Sequence, residues 1–439
     1  MAFTFKGGEH VREYKNTAAV AIKEMPAPQI VTVPLSQHIG APCTPTVAVG
    51  DHVDCGAVIG DVEKGLGCPV HASVSGTVKE IKTITTAQGA KIPAVVIEND
   101  GAYTMSADIA PFPKPLAEAS ADDIVTLVRR AGISGMGGAT FPTYAKISSA
   151  LGRVDTLIIN CAECEPFITA NHRVMLESPE KILGGAEILR HALGLAVAHI
   201  AIEDNKPDAI ASMQRAAAGR EGVEVMTLRT KYPQGSEKQL IYAVTGREVP
   251  SKKLPLDAHV IVLNVGSAKA IADAVIEGKP LIDRVTTVKG CVKEHANLRL
   301  RMGTIVADVI GECGGYTEEA GKIVMGGCMT GLCAPNDQVV VTKGSNGILV
   351  FNEEDAKGYE ENPCIRCGRC VEACPIGLNP YRMKHFCDNG DLKGAEANDL
   401  MECILCGSCS YACPAKRWLT ASFKSTKEAI MREARRAKK

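Results

Sequence analysis

The sequence predicts a multidomain chain that joins α/β and α+β parts. Three observations carry that prediction. Residues 30–100 break into short strands punctuated by glycine. Residues 121–264 alternate helix with strand. Residues 364–414 hold two copies of one cysteine pattern, 39 positions apart. A length of 439 residues suits about three domains and allows a sizeable core. A formal net charge of −1 gives no nucleic-acid footprint over the whole chain, and 4% aromatic residues is poor material for stacking single-stranded nucleic acid.

The stretches IVTVPL, PTVAVGDHV, AVIGDVE, ASVSGTVKEI and KIPAVVIEND alternate apolar and polar positions between turn residues, as a small all-β barrel or sandwich requires. The order VGDHVDCGAVIGDVEKG followed by VSGTVKEI resembles the lipoyl/biotinyl-type barrel-sandwich domain, which sets a first domain at 1–110. Carriers of that type bear their prosthetic group on a hairpin lysine. Lys64 is the nearest candidate, but GLGCP departs from the usual flanks, so the barrel is read as structural. His38 and His71 lack any paired ligand pattern and are read the same way. The proline-rich stretch 102–120 marks a boundary.

The next part opens with the helix ADDIVTLVRRAG, stopped at Gly132. VDTLIIN has the length and continuity of a buried strand. SPEKILGGAEILRHALG is a helix with Ser178 as N-cap and Pro179 in the first turn. AVAHIAIED, VEVMTLRT and HVIVLNV are further strands. NKPDAIASMQRAAAG and GSEKQLIYAVTG are helices, and Ser236 with Gln239 forms a capping box at the start of the second. Alternation of this kind implies an open, largely parallel sheet whose ligands lie beyond the strand C-termini. Residues 284–342 place short strands around the helix GTIVADVIGECGG, a small α+β module. The polar stretch 353–363 then leads to the cysteines.

CIRCGRCVEACP and CILCGSCSYACP each read C-x2-C-x2-C-x3-C-P. Thiolates are the ligands that iron–sulfur clusters need, and in two-cluster ferredoxins the fourth cysteine of each run serves the other cluster. One 4Fe–4S cluster is therefore expected on Cys364, Cys367, Cys370 and Cys413, and a second on Cys403, Cys406, Cys409 and Cys374. Pro375 and Pro414 turn the chain after each crossing cysteine. Paired zinc sites and disulfides are the alternatives; zinc normally uses C-x2-C pairs without a third and fourth cysteine at these offsets.

A second site is suggested by GISGMGGATFPTYAKI. Gly135, Gly137 and Gly138 let backbone amides approach an anion ahead of a helix, and Lys146 adds a point charge. A tight loop without a ligand is the competing reading. INCAECEPFITANHR begins at the C-terminal end of the LIIN strand. There Glu163 and Glu165 are the candidate catalytic carboxylates, suited to accepting hydrogen bonds from ribose hydroxyls, and Asn160 suits a flavin or sugar edge. Helix capping is the alternative for both carboxylates. Cys161 and Cys164 are not assigned to metal.

GMGGATFPTYAK is similar to the GRGGAGFPTGLK loop of the flavin-carrying, NADH-oxidising subunit of bacterial complex I, NCAECEP to its NADEGEP, and LNVG to its NNVE. Over nearly all of its length the chain resembles the RnfC family, through FKGGEH, PLSQHIGAPC, PVHASVSGTV, NCAECEPFITA, YPQGSEKQLI, TGREVPS and the two cysteine runs. The resemblance implies a Rossmann-like FMN/NADH domain at 118–258, an SLBB β-grasp module at 259–345 and a two-cluster ferredoxin domain at 353–439. It places Gly135, Gly137, Gly138, Ala139, Phe141 and Lys146 in the FMN/NADH loop, with Asn160, Glu163, Glu165 and Asn264 lining the same site. Met136 stands for the loop arginine, Thr140 and Tyr144 for glycines, Ala162 for Asp and Cys164 for Gly. GGCMTG departs from the family's GGPMMG, leaving Cys328 and Cys333 without a role.

The resemblance further implies two 4Fe–4S clusters, FMN and NAD(H) as cofactors, with electrons exchanged between NAD(H) and the clusters. It implies other Rnf-complex subunits as partners, including membrane subunits and a further Fe–S subunit, at the cytoplasmic face of the membrane. A soluble subunit feeding a cytoplasmic reductase, of the proline-reductase type, is the alternative. A docking relay without flavin is a third. No signal peptide or run of about 18 apolar residues is expected, and the basic C-terminal stretch KSTKEAIMREARRAKK is read as a solvated helix end.

Overall fold

The computed structural model describes residues 3–437. The outer limits expected for the first and last domains, and the final two lysines of the basic stretch, lie outside the described residues.

Two small sheets form the N-terminal barrel-sandwich. One orders Ile30–Pro34, Lys91–Asn99, Gly76–Thr85 and His52–Val53; the other orders Thr44–Pro45, Val58–Asp61 and Val70–His71. Alternate residues Val31, Val33, Val95, Ile97 and Val78 fill the space between them. Lys64 lies exposed in the bend between Val58–Asp61 and Val70–His71. His38 is fixed by the backbone of Cys68, 3.0 Å from its carbonyl oxygen, and burial drives the pKa of His71 down to about 3. Both are structural, as expected.

The α/β domain is a four-stranded sheet ordered Val223–Leu228, Ala198–Glu203, Thr156–Asn160, Val260–Asn264, parallel throughout. Its strands are continuous apolar runs because helices cover both faces. The helix at 121–130 starts on a capping box in which Ser120 and Asp123 satisfy each other's amides. The expected capping box at Ser236 does not form: Ser236 holds the N-cap position without a side-chain bond, and Gln239 donates to the Pro375 carbonyl instead. Ser178 likewise caps by position alone, ahead of Pro179. The domain boundary expected at 258/259 also moves. Val260–Asn264 pairs with Thr156–Asn160, and the helix Val265–Ile276 packs on Pro179–Leu193, so both belong to the α/β layer. A strand this apolar needs cover on both faces, and its sheet neighbour is here.

The β-grasp module begins at Asp283. Its six-stranded sheet orders Ile22–Glu24, Ala296–Arg301, Asp283–Gly290, Gly347–Asn352, Ala320–Met325 and Leu332–Cys333, with the helix Val306–Glu312 against one face. The edge strand Ile22–Glu24 comes from the N-terminal arm, which therefore leaves the first domain before the barrel begins. The C-terminal domain is helical, with Met383, Leu400, Leu419 and Phe423 as its core. Its last helix, Leu419–Ala437, buries only Leu419, Phe423 and Thr426, and its basic end is solvated as expected.

Gly185 carries the closest helix contact. A Cβ there would lie 1.8 Å from the Ala268 carbonyl oxygen. Gly185→Ala is expected to destabilise the α/β domain by about 1–3 kcal/mol through overpacking, read as a lower thermal midpoint, whereas Gly194→Ala, with open space around its Cβ, is expected to be milder despite its left-handed φ.

Candidate functional site: a nucleotide cleft beside two thiol cages

Reading the sheet from Val223–Leu228, the strand order reverses between Thr156–Asn160 and Val260–Asn264, the point where open α/β sheets bind ligands. Asn160 and Asn264 are register partners there, at the C-terminal ends of both strands. Both side-chain oxygens are engaged. Asn160 donates to the Gly235 carbonyl (2.7 Å) and accepts from Ala162 N–H, while Asn264 caps its own helix through Gly266 N–H. Both hold the loops that form the wall.

The glycine loop crosses this point. Gly135 N–H closes the loop on the Phe141 carbonyl (2.8 Å), and Gly137 lies over Asn264. Met136 is clamped from two sides, its N–H by Ser267 Oγ (3.0 Å) and its carbonyl by the buried Arg284 guanidinium (2.6 Å). The Met136 side chain, in place of the family's arginine, is buried against Gly266. Among the described residues the amides of Gly137, Gly138 and Ala139 meet no protein acceptor, and a Cβ on Gly138 would touch nothing. Gly138 has φ +110°, a conformation that favours glycine. Of these donors, Gly137 and Gly138 line one side of a cleft closed by Glu165, Gly327, Thr330 and the barrel hairpin from Ile84 to Ile92. A phosphate-bearing cofactor such as FMN fits that donor set. Phe141 is exposed on the loop, and Thr143–Ala150 is the helix expected after it. Lys146 pairs with Glu237 and is not a free charge.

The two carboxylates have different duties. Glu163 accepts from Asn171 and His172 N–H (2.7 and 3.0 Å) at the start of helix Ala170–Glu177, which makes it a helix cap. Glu165 reaches across to the β-grasp loop, accepting from Met329 N–H (3.0 Å) and Thr330 Oγ1. Burial raises the Glu165 pKa, and these bonds oppose that rise. Cys164, where the family has glycine, accepts from Gly235 N–H at 3.3 Å. Cys161 is buried and its thiol pushed far up by burial. Cys328 and Cys333 are both exposed, Cys328 in the loop that Glu165 anchors and Cys333 on the edge strand; the structure gives Cys333 no role.

The eight thiols fall into two cavities. One is lined by Cys364, Cys367, Cys370 and Cys413, the other by Cys374, Cys403, Cys406 and Cys409. This is the crosswise partition that the spacing implies. Four thiolates per cavity is the ligand number that a 4Fe–4S cluster takes. The two runs also repeat in backbone. Arg366 and Leu405 have φ +54° and +55°, Gly368 and Gly407 φ +82° and +86°. Their turns aim Arg366 N–H at Cys364 Sγ and Leu405 N–H at Cys403 Sγ, both at 3.4 Å.

The two cages differ in position. The one containing Cys374 faces inward. Tyr232 donates to the Cys406 carbonyl (2.6 Å), Gly407 sits against Met329, Gly8 N–H bonds the Ala373 carbonyl, and Lys238 pairs with Glu402. The other opens outward: Cys364 and Cys367 are exposed beside Ile365, Tyr381 and Trp418. Sequence reasoning missed Lys15, Tyr232, Arg284 and Lys343, each a single polar side chain among apolar or loop neighbours with no spacing to mark it.

Fold and site together define a two-cluster iron–sulfur protein with a flavin-type α/β cleft against its inner cage. Comparison with known proteins agrees domain by domain. Residues 3–102 match the RnfC barrel sandwich hybrid domain, 128–273 the Nuo51 FMN-binding domain, 285–332 the SLBB domain and 363–418 the 4Fe–4S dicluster domain. The chain is 43% identical to the C subunit of the Na(+)-translocating ferredoxin:NAD(+) oxidoreductase complex of Acetobacterium woodii, over 99% of this chain and 98% of that protein. It is 44% identical to the proton-translocating counterpart of Clostridium ljungdahlii, over 87% and 83%. It is 40% identical to the corresponding component of the ion-translocating oxidoreductase complex of Rhodobacter capsulatus, over 91% and 78%. An NAD+-reducing [NiFe]-hydrogenase in the H2-reduced state shares the fold at 20% identity and a TM-score of 0.50, over 73% of this chain and 65% of that one. The chain belongs to the RnfC family.

The crosswise ligation has a direct test. Cys413→Ser lies in the second run but is expected to lose the cluster of the first run, leaving the Cys374/403/406/409 signal intact by EPR of the reduced protein; loss of the second run's own cluster would refute the partition.

Proposed function

We propose that this chain exchanges electrons between NAD(H) and two 4Fe–4S clusters through FMN, as a peripheral subunit of an Rnf-type ferredoxin:NAD oxidoreductase. The observation that carries the reading is the contact chain from cleft to inner cage. Glu165 lines the cleft and grips Met329, and Met329 lies on Gly407 beside Cys406.

FMN bound in the cleft would supply the exchange between two-electron nicotinamide chemistry and iron–sulfur centres that hold one electron each. The chain's own residues supply position and shielding. The amides of Gly137 and Gly138 would hold the phosphate, and Arg284 and Ser267 keep that loop in place from beneath. Asn160 and Asn264 fix the floor at the switch point. Glu163 keeps its role as a cap and Glu165 its role as a strut, so neither carboxylate takes a proton from substrate. No acid or base is needed for hydride chemistry of this type.

The inner cage is roofed by the α/β and β-grasp domains and the outer cage is open, so electrons meet a partner at the Cys364–Cys367 edge. The partners are the other subunits of the complex, membrane subunits among them. Among the described residues no helix is long and apolar enough to cross a membrane. Ion movement therefore belongs to those partners, with this chain on the cytoplasmic face.

The test is anaerobic reconstitution of the full chain with iron, sulfide and FMN. One FMN per chain and bleaching of both clusters by NADH are expected; a chain that binds no flavin, or whose clusters stay oxidised with NADH yet bleach with dithionite, would reject the reading. Gly138→Val, which crowds the amide cradle and penalises φ +110°, is expected to weaken FMN binding at least about tenfold with both clusters retained, as measured by flavin fluorescence titration.

A further inference from the structure

The N-terminal arm crosses three domains before it reaches the barrel, and one of its side chains ends inside the α/β domain. Lys15 Nζ lies 2.8 Å from the Glu163 carbonyl oxygen, 2.8 Å from that of Glu165 and 2.6 Å from that of Ile168. An ammonium has three donors and no acceptor, so these bonds saturate it. Lys15 as a residue is partly accessible, but its charged end faces inward, where burial lowers its pKa and the nearby Glu163 raises it.

The segment it holds is the turn after the first strand of the parallel sheet. Glu163 and Phe167 have φ +50° and +70°, a conformation non-glycine residues keep only when surrounding contacts impose it. Across this turn the carbonyls of Glu163, Glu165 and Ile168 point at one spot. Without a cation there, the oxygens would repel one another and remain partly desolvated. The arm brings the cation in with its own anchors: the Glu13 backbone carbonyl accepts from Phe167 N–H (2.8 Å), the Tyr14 ring stacks on Phe167 at 4.8 Å, and Thr17 bonds Thr169 at 2.7 Å. On the outer side of the same turn, Glu165 forms the cleft wall and grips the β-grasp loop above the inner cage.

We infer that Lys15 is a positioning residue, a built-in cation that shapes the Glu163–Ile168 turn and thereby the FMN/NADH cleft. The inference rests on the flavin reading of that cleft. It makes the extreme N-terminal arm part of the site without any contact to the cofactor, and it explains why the arm is threaded under the α/β domain ahead of its own barrel.

The test uses the full reconstituted chain with two readouts. Hydrogen exchange of residues 161–169 reports the turn, and FMN titration reports the cleft. Lys15→Ala removes a propylammonium-sized group. It is expected to speed exchange in that peptide and weaken FMN binding at least tenfold, with cluster absorbance unchanged. Millimolar propylammonium is expected to restore both, and propanol neither. Lys15→Met, which fills the space without charge, is expected to show both losses without rescue. Unchanged exchange or unchanged FMN affinity in Lys15→Met overturns the inference, as does failure of propylammonium to rescue Lys15→Ala. Loss of clusters or of cooperative melting along with the flavin also overturns it, since that marks general packing. If the unsubstituted chain binds no FMN, the flavin reading fails, while the exchange data still decide whether the ammonium shapes the turn.

Discussion

One carboxylate ties the redox parts of this molecule together. Glu165 leaves the C-terminal end of a parallel strand and binds the β-grasp loop at Met329 and Thr330, and that loop rests on Gly407 of the inner thiol cage. A Cβ on Gly327 would collide with the same carboxylate at 2.2 Å, so the loop is glycine there because the strut passes so closely. That carboxylate links the cleft wall directly to the loop that rests on the cage. Charge-assisted bonds of this kind are strong when shielded, and burial here does the shielding.

The rest of the architecture reads as support for that junction. Arg284 and Lys343, both buried on the β-grasp side, donate to carbonyls of the glycine loop, its flank and the barrel: Arg284 to Met136, Lys343 to Gly132 and to Pro69 of the barrel. Burial lowers the Arg284 pKa to about 9, a measure of how little solvent reaches it. Tyr232 and Lys238 fasten the C-terminal domain to the α/β domain beside the inner cage. The β-grasp module is thus a spacer between cleft and cluster, and the barrel hairpin is the far wall of the cleft. Position is what the protein contributes, because the chemistry belongs to the cofactors.

Much of this was legible in the sequence, for physical reasons that differ by region. The cysteine runs carry their geometry in their spacing, so the crosswise grouping of the eight thiols into two cavities was legible there. The parallel sheet announced itself through continuous apolar strands between amphipathic helices. The domain boundary at 258/259 was misplaced because HVIVLNV, a strand at the edge of two modules in sequence, declares its partner only through pairing. The capping box at Ser236 failed because Gln239 has a stronger claim on it in the Pro375 carbonyl. Lys146, Asn160 and Glu163 sit where the site was expected, but each bonds another part of the protein, and a side chain's partners are not written in its spacing. Lys15 and Arg284 were invisible for the same reason. Each lies more than a hundred residues from groups it holds.

The account's central claim is that the inner cage stands between the cleft and the outer cage. A chain with Cys403→Ser, reconstituted with FMN and the remaining Cys364/367/370/413 cluster, tests it most directly by freeze-quench EPR after mixing with NADH. The account predicts that the outer cluster stays oxidised on the turnover timescale, although dithionite reduces it fully. Reduction of the outer cluster by NADH at the rate of the unsubstituted chain would contradict it.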